Sequence, residues 1–93
     1  MIKTYANSAT RRFVEVGKVS KFPGLDVELA KEHISMLNAA TSLSDVTPVS
    51  SIGLHALKGN RKGQMAIKVN RGWRICFRYR DGDAFDVEIV DYH

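Results

Sequence analysis

Apolar positions change period once along this chain, and the change divides it in two. Between Val27 and Ala40 they recur at helical spacing. At about 100° per residue, Val27, Leu29, Ala30, Ile34, Met36, Leu37 and Ala40 fill one half-circle. Glu28, Lys31, Glu32, Ser35 and Asn38 fill the other. This predicts an amphipathic helix lying on a core, capped by Asp26 and running to about Thr41. Glu28 in its first turn is favoured by the helix dipole. A shorter helix is predicted from about Ala9 to Val16, with Ser8 as its N-cap and Gly17 as its stop. Ile2 to Ala6 reads as a short first strand. Residues 18–25, with Pro23 and Gly24, read as a loop, as does the serine-rich stretch 42–53 with Pro48.

From Leu54 onward the period is two. Leu54 to Leu57 is a short candidate strand, and Gln64 to Val69 places Met65, Ile67 and Val69 on one face. Trp73 to Arg80 alternates more cleanly. Trp73, Ile75, Phe77 and Tyr79 share one face, and Arg74, Cys76, Arg78 and Arg80 the other. Asp81-Gly82 is a hairpin signal. Phe85, Val87 and Ile89 then mark the inward face of a last strand. Helices first and hairpin-linked strands after predict an α+β fold: a mostly antiparallel sheet with two N-terminal helices packed on one face. The 93 residues suffice for one domain, 1–93.

Charge sharpens the picture through its placement. The net charge is +4. Residues 58–80 hold eight Lys/Arg (Lys58, Arg61, Lys62, Lys68, Arg71, Arg74, Arg78, Arg80) and no acid, while residues 81–93 hold five acids and no Lys or Arg. A basic block this dense is a footprint for a polyanion, nucleic acid first, or a solvated basic face. The single cysteine, Cys76, rules out an intrachain disulfide and fits a reducing compartment. No run approaches the ~18 apolar residues of a membrane span, and MIKTYANSATRRF lacks the apolar centre of a signal peptide. A cytoplasmic protein is expected.

Several residues can carry chemistry. His55 stands three residues before Lys58 and a Gly-flanked basic turn. A histidine moves protons near neutral pH, and a lysine balances charge developing on a phosphate. Along 73–80 three guanidiniums crowd one face. Asp86 and Glu88 are candidate cross-strand partners for Arg78 and Arg80, which leaves Arg74 as the better phosphate contact. The remaining cations Arg61, Lys62, Lys68 and Arg71 are candidates for contacts along an RNA backbone. Asp91-Tyr92-His93 close the chain. Asp91 can orient a neighbour, Tyr92 can stack on an unpaired base, and His93 can transfer a proton. His33 falls within the apolar half of its helix and reads as a packed or boundary histidine. Cys76 reads as a small strand residue. Neither offers metal-ligand spacing, and no metal or other cofactor is expected. GNRKG lacks the spacing of a nucleotide phosphate loop.

Taken together, the half from residue 54 onward resembles a known family. LHxLKG, then G-x-x-x-I-x-V-N-x-x-W-R-I-x-F, then a closing DYH are similar, in order and spacing, to HigB-type toxins of the RelE superfamily, also called plasmid-maintenance killer proteins. The first half fits more loosely, through an opening MIK strand and two helices, the second ending in LNAAT. Ala56 stands where some relatives have proline.

The resemblance implies a RelE-like microbial ribonuclease fold. It also implies a type II toxin that cleaves mRNA in the A site of the 70S ribosome without a metal, inhibiting translation. The 2′-hydroxyl attacks the adjacent phosphate and leaves a 2′,3′-cyclic phosphate and a 5′-hydroxyl. His55, Lys58, Arg74, Asp91, Tyr92 and His93 fall on the family's active-site positions. The implied partner is a HigA-like helix-turn-helix antitoxin. Two other readings stand beside this one: a non-catalytic RNA- or DNA-binding regulatory module of the same fold, which the basic block would serve equally well, and a toxin fold that has drifted to low activity.

Overall fold

Two helices and four strands form in the order the periodicity predicts. A computed structural model describes residues 1–17, 21–46 and 53–91. Helix α1 is Ser8–Val16 and α2 is Val27–Ala39. The strands are β1 (His55–Ala56), β2 (Met65–Lys68), β3 (Trp73–Arg80) and β4 (Asp83–Asp91). They form one sheet in the order β1-β2-β3-β4, every pair antiparallel. The expected loop 18–25 is described only from Lys21, and that of 42–53 only at its two ends.

Local chemistry sets the helix ends. Asn7, one residue earlier than expected, caps α1: its side-chain oxygen accepts from the Thr10 N–H at 2.9 Å. Gly17 closes the helix in the left-handed region, as anticipated. Asp26 caps α2 by accepting from the Leu29 N–H at 3.1 Å. This helix ends at Ala39, short of the expected Thr41, because Asp45 takes the backbone away. Its carboxylate accepts from the N–H groups of Thr41 (2.8 Å) and Ser42 (3.1 Å) and from the Thr41 hydroxyl. The chain tightens there into a 3₁₀ turn, Leu43–Asp45. The same bonds hold the Asp45 carboxyl below the usual carboxylate range.

The first strand of the sequence reading is present as a segment lying along β4. It runs parallel to it through bridges Ile2–Ala84 and Tyr5–Val87. Where that segment leaves, α1 takes over: the buried Thr10 hydroxyl accepts from the Ile89 N–H at 3.1 Å. This edge of β4 is thereby hydrogen-bonded rather than left as an open template.

One expectation fails in β4. Alternation in the sequence puts Phe85 on the inward face with Val87 and Ile89. Between the pairs Cys76–Glu88 and Arg78–Phe85, however, β3 advances two residues while β4 advances three. The extra residue is a β-bulge. Asp86 sits in it with φ 53°, and its N–H is capped by the Thr4 hydroxyl at 2.8 Å. The bulge inverts the alternation beyond it, so Ala84 enters the core and Phe85 turns outward under the Arg80 guanidinium.

The core lies between the helices and one face of the sheet. Phe13, Ala30, Leu37, Ile67, Ile75, Phe77 and Val87 are essentially inaccessible. Phe22 meets Phe13 and Trp73 edge-to-face, and the Trp73 indole N–H donates to the Pro23 carbonyl at 3.1 Å. The Asp81-Gly82 hairpin forms as expected, both residues at positive φ. A Cβ on Gly82 would meet the Thr41 carbonyl at 2.7 Å, so this turn seats directly on the end of α2. None of the described helices is long and apolar enough to cross a membrane.

Candidate active site

Residues paired across an antiparallel ladder share a face. The register therefore states which side chains meet on the side of the sheet turned away from the helices. One row across the sheet is His55–Ala66–Cys76–Glu88. The row beside it contains Lys68–Arg74–Val90. Ala66 and Cys76 are fully buried although they face away from the helices, so longer side chains cover them. Cys76 is thus the small strand residue the sequence suggested.

His55 stands at the rim of this surface on β1. Its Nδ1 lies 2.9 Å from the Gly53 carbonyl oxygen. A carbonyl has no hydrogen to give, so Nδ1 carries the proton and donates it. The other ring nitrogen, Nε2, is then the one left with a lone pair to accept a proton. Lys68 and Arg74 are direct cross-strand partners about 7 Å further along the strands, two residues at ~3.3 Å each. Arg74 is anchored by its own backbone surroundings: Nη1 donates to the carbonyls of Arg71 (3.2 Å) and Trp73 (3.1 Å). Among the described residues no carboxylate lies within 4 Å of Lys68, Arg71 or Arg74. These three cations, with Val69 and Asn70, line an open cleft of about 300 Å³.

Asn70 fixes the turn that shapes this cleft. Its side-chain oxygen accepts from the Asp26 N–H at 2.8 Å, and its side-chain nitrogen donates to the Gly24 carbonyl at 2.9 Å. Arg71 follows at φ 53°. The β2–β3 turn is thereby tied to the loop before α2, and the cleft rests on the body of the fold.

The other candidate cations separate by position. Lys58 and Lys62 flank the 3₁₀ turn Gly59–Arg61, at the end of the β1–β2 hairpin away from Arg74. Arg78 meets Asp86 at 3.5 Å, and Arg80 stacks over Phe85 with 4.7 Å to the ring centre. Both are engaged within the fold, as the strand reading favoured, although Arg80 uses an aromatic ring instead of a carboxylate. Arg61, a candidate RNA contact, is also held within the fold. Its Nη1 donates to Glu88 and to Gln64, both at 3.1 Å, with the Arg61 and Glu88 side chains each about three-quarters buried. It braces the hairpin turn against β4, and Glu88, expected to serve β3, is occupied by it.

Asp91 pairs with Trp73, so it leaves the sheet on the helix side, one residue beyond Val90, the partner of Arg74. Its alternation does not place it among the cations of the open face. Tyr92 and His93 lie outside the described residues. His33 is buried as expected. Burial pushes its pKa down, while the Lys68 backbone and the carboxylates of Glu32 and Asp26 act in the opposite sense. The structure thus gathers His55, Lys68, Arg71 and Arg74 along one face and leaves Lys58 and Lys62 beyond them. The sequence reading missed the Gly53 carbonyl and the Arg61–Glu88 brace. The first is a side-chain contact to backbone two residues away and the second joins residues 27 apart, so neither shows in the apolar period.

Comparison with known proteins gives this face its context. Residues 3–93 match the family model described as RelE-like toxin of type II toxin-antitoxin system HigB. The chain is also 32% identical, over all 93 residues and the full length of both proteins, to Endoribonuclease HigB of Proteus vulgaris. This chain belongs to the HigB-like family of RelE-like toxins of type II toxin–antitoxin systems.

Proposed function

We propose that this toxin is an endoribonuclease that cuts mRNA on the ribosome and so arrests translation. One observation supports the reading above others: a histidine with a committed Nε2 shares a sheet face with Lys68 and Arg74, a cationic pair with no carboxylate within 4 Å among the described residues. The basic block and the likeness to a protein named as an endoribonuclease point the same way.

The reaction needs no group beyond the chain's own side chains. The 2′-oxygen forms a bond to the adjacent phosphorus as a base removes its proton. The bond from phosphorus to the 5′-oxygen breaks, and an acid protonates that oxygen. The products are a 2′,3′-cyclic phosphate and a 5′-hydroxyl. His55 Nε2 is one proton-transfer atom, and His93 supplies the second. Arg74 and Lys68 hold the phosphate oxygens, whose charge rises in the transition state. Tyr92 stacks on the base, and Asp91 orients its neighbours in the chain. Lys58, three residues from His55, balances charge developing on the phosphate, and Arg61, Lys62 and Arg71 contact the RNA backbone further from the scissile bond. The ribosome arranges the mRNA in its A site, so free RNA is a poor substrate.

Membership of a type II system implies an antitoxin partner. We take it to be a HigA-like helix-turn-helix protein, and the place of action to be the cytoplasm. Primer extension on mRNA after brief induction tests the activity. New 5′ ends inside reading frames are expected. Growth arrest without new ends would favour a binding module that does not cut.

A further inference from the structure

We infer that Gly53 is a positioning residue of the cleft, setting the proton on His55 with its carbonyl and the course of Lys68 with its missing side chain. The inference rests on the ribonuclease reading just given and deepens it. In the β1–β2 ladder His55 pairs with Ala66 and Ala56 with Met65. Continuing that register places Gly53 opposite Lys68 and completes the row Gly53–Lys68–Arg74–Val90.

At that position the glycine does two things at once. Its carbonyl accepts from His55 Nδ1 at 2.9 Å, which commits Nε2 to proton exchange. Its backbone also leaves open the space through which the Lys68 stem runs. A Cβ on Gly53 would stand 2.8 Å from Lys68 Cδ and 3.2 Å from Cγ, well inside contact distance. Gly53 has φ +60°, a conformation that favours glycine on its own account. One residue therefore couples the candidate proton-transfer group to the candidate phosphate-binding lysine, although neither motif in the sequence includes it.

Ring ¹⁵N NMR and cleavage on ribosomes test this together, on the full chain. In the unsubstituted protein the His55 ring is expected as the Nδ1–H tautomer, with a nuclear Overhauser contact between Gly53 Hα and the Lys68 stem. Lys68→Met, which keeps the stem and removes the charge, should slow cleavage at least tenfold and leave the tautomer unchanged. Gly53→Ala should slow cleavage by a similar factor and lose the tautomer preference. The double variant should lose less than the product of the two single losses, since part of the Gly53→Ala effect acts through Lys68. An Nε2–H tautomer, no contact between Gly53 and Lys68, or losses that multiply in the double variant would each overturn the inference. If Gly53→Ala does not fold, the two measurements on the unsubstituted protein still decide. If that protein cuts no RNA, the ribonuclease reading falls, while the tautomer and the contact report on Gly53 independently.

Discussion

Lys68 and Arg74 face each other across β2 and β3, and among the described residues neither has a carboxylate within 4 Å. Like charges set opposite one another on a ladder oppose folding. On the ribonuclease reading, this pair is the one that meets the phosphate. Arg74→Ala is accordingly expected to leave thermal stability unchanged or slightly higher while lowering the cleavage rate by about 100-fold, the scale of losing one preorganised charge stabiliser. Arg80→Ala removes a cation already engaged with Phe85 and should leave the rate within about twofold. Single-turnover cleavage on programmed ribosomes, paired with thermal melts, reads both.

The Arg61–Glu88 pair behaves in the opposite way. It joins the hairpin turn to β4 with both side chains mostly buried. Glu88→Ala takes the carboxylate from a mostly buried guanidinium, leaving it the Gln64 oxygen, and should lower stability by about 1–3 kcal/mol. Exchanging the two as Arg61→Glu with Glu88→Arg should recover part of that loss. Urea unfolding of Glu88→Ala and of the four proteins in the charge-swap cycle measures the loss and the coupling.

His33 ties stability to pH. Burial lowers its pKa in the folded state below the ordinary value of 6.5. The neutral ring is thus favoured by folding, and its contribution is full above pH 6.5. It is lost as the pH falls from there through the folded-state pKa, because the unfolded chain takes up the proton first. Melting temperature should therefore drop more steeply between pH 7.5 and 5 for the unsubstituted protein than for His33→Leu. Parallel curves would show that the ring does not titrate between the two states.

Much of this architecture is legible in the sequence because it depends on local period and local caps. The amphipathic half-circle of α2, the Asp26 cap, the Gly17 stop, the strand 73–80 and the Asp81-Gly82 turn are all written in neighbouring residues. What was not legible depends on pairing. Phe85 alternates with Val87 in the sequence, and only the bulge at Asp86 sends it outward. Arg61 reads as one more cation of a basic block until Glu88, 27 residues later, comes beside it. The sequence singles out Lys58 beside His55 and offers Lys68 only as a backbone contact, and the register then adds that Lys68 stands beside Arg74 while Lys58 stands at the turn. Gly53 had no signal of its own, since its role exists only once β1 has paired with β2.

The ends of the cut RNA report on the attacking group. With an mRNA carrying a single 2′-deoxy substitution at the mapped cleavage position, no cut is expected there. The all-ribose transcript should yield a 2′,3′-cyclic phosphate on one fragment and a 5′-hydroxyl on the other. Cleavage at the deoxy position, or fragments bearing a 5′-phosphate, would contradict attack by the 2′-hydroxyl.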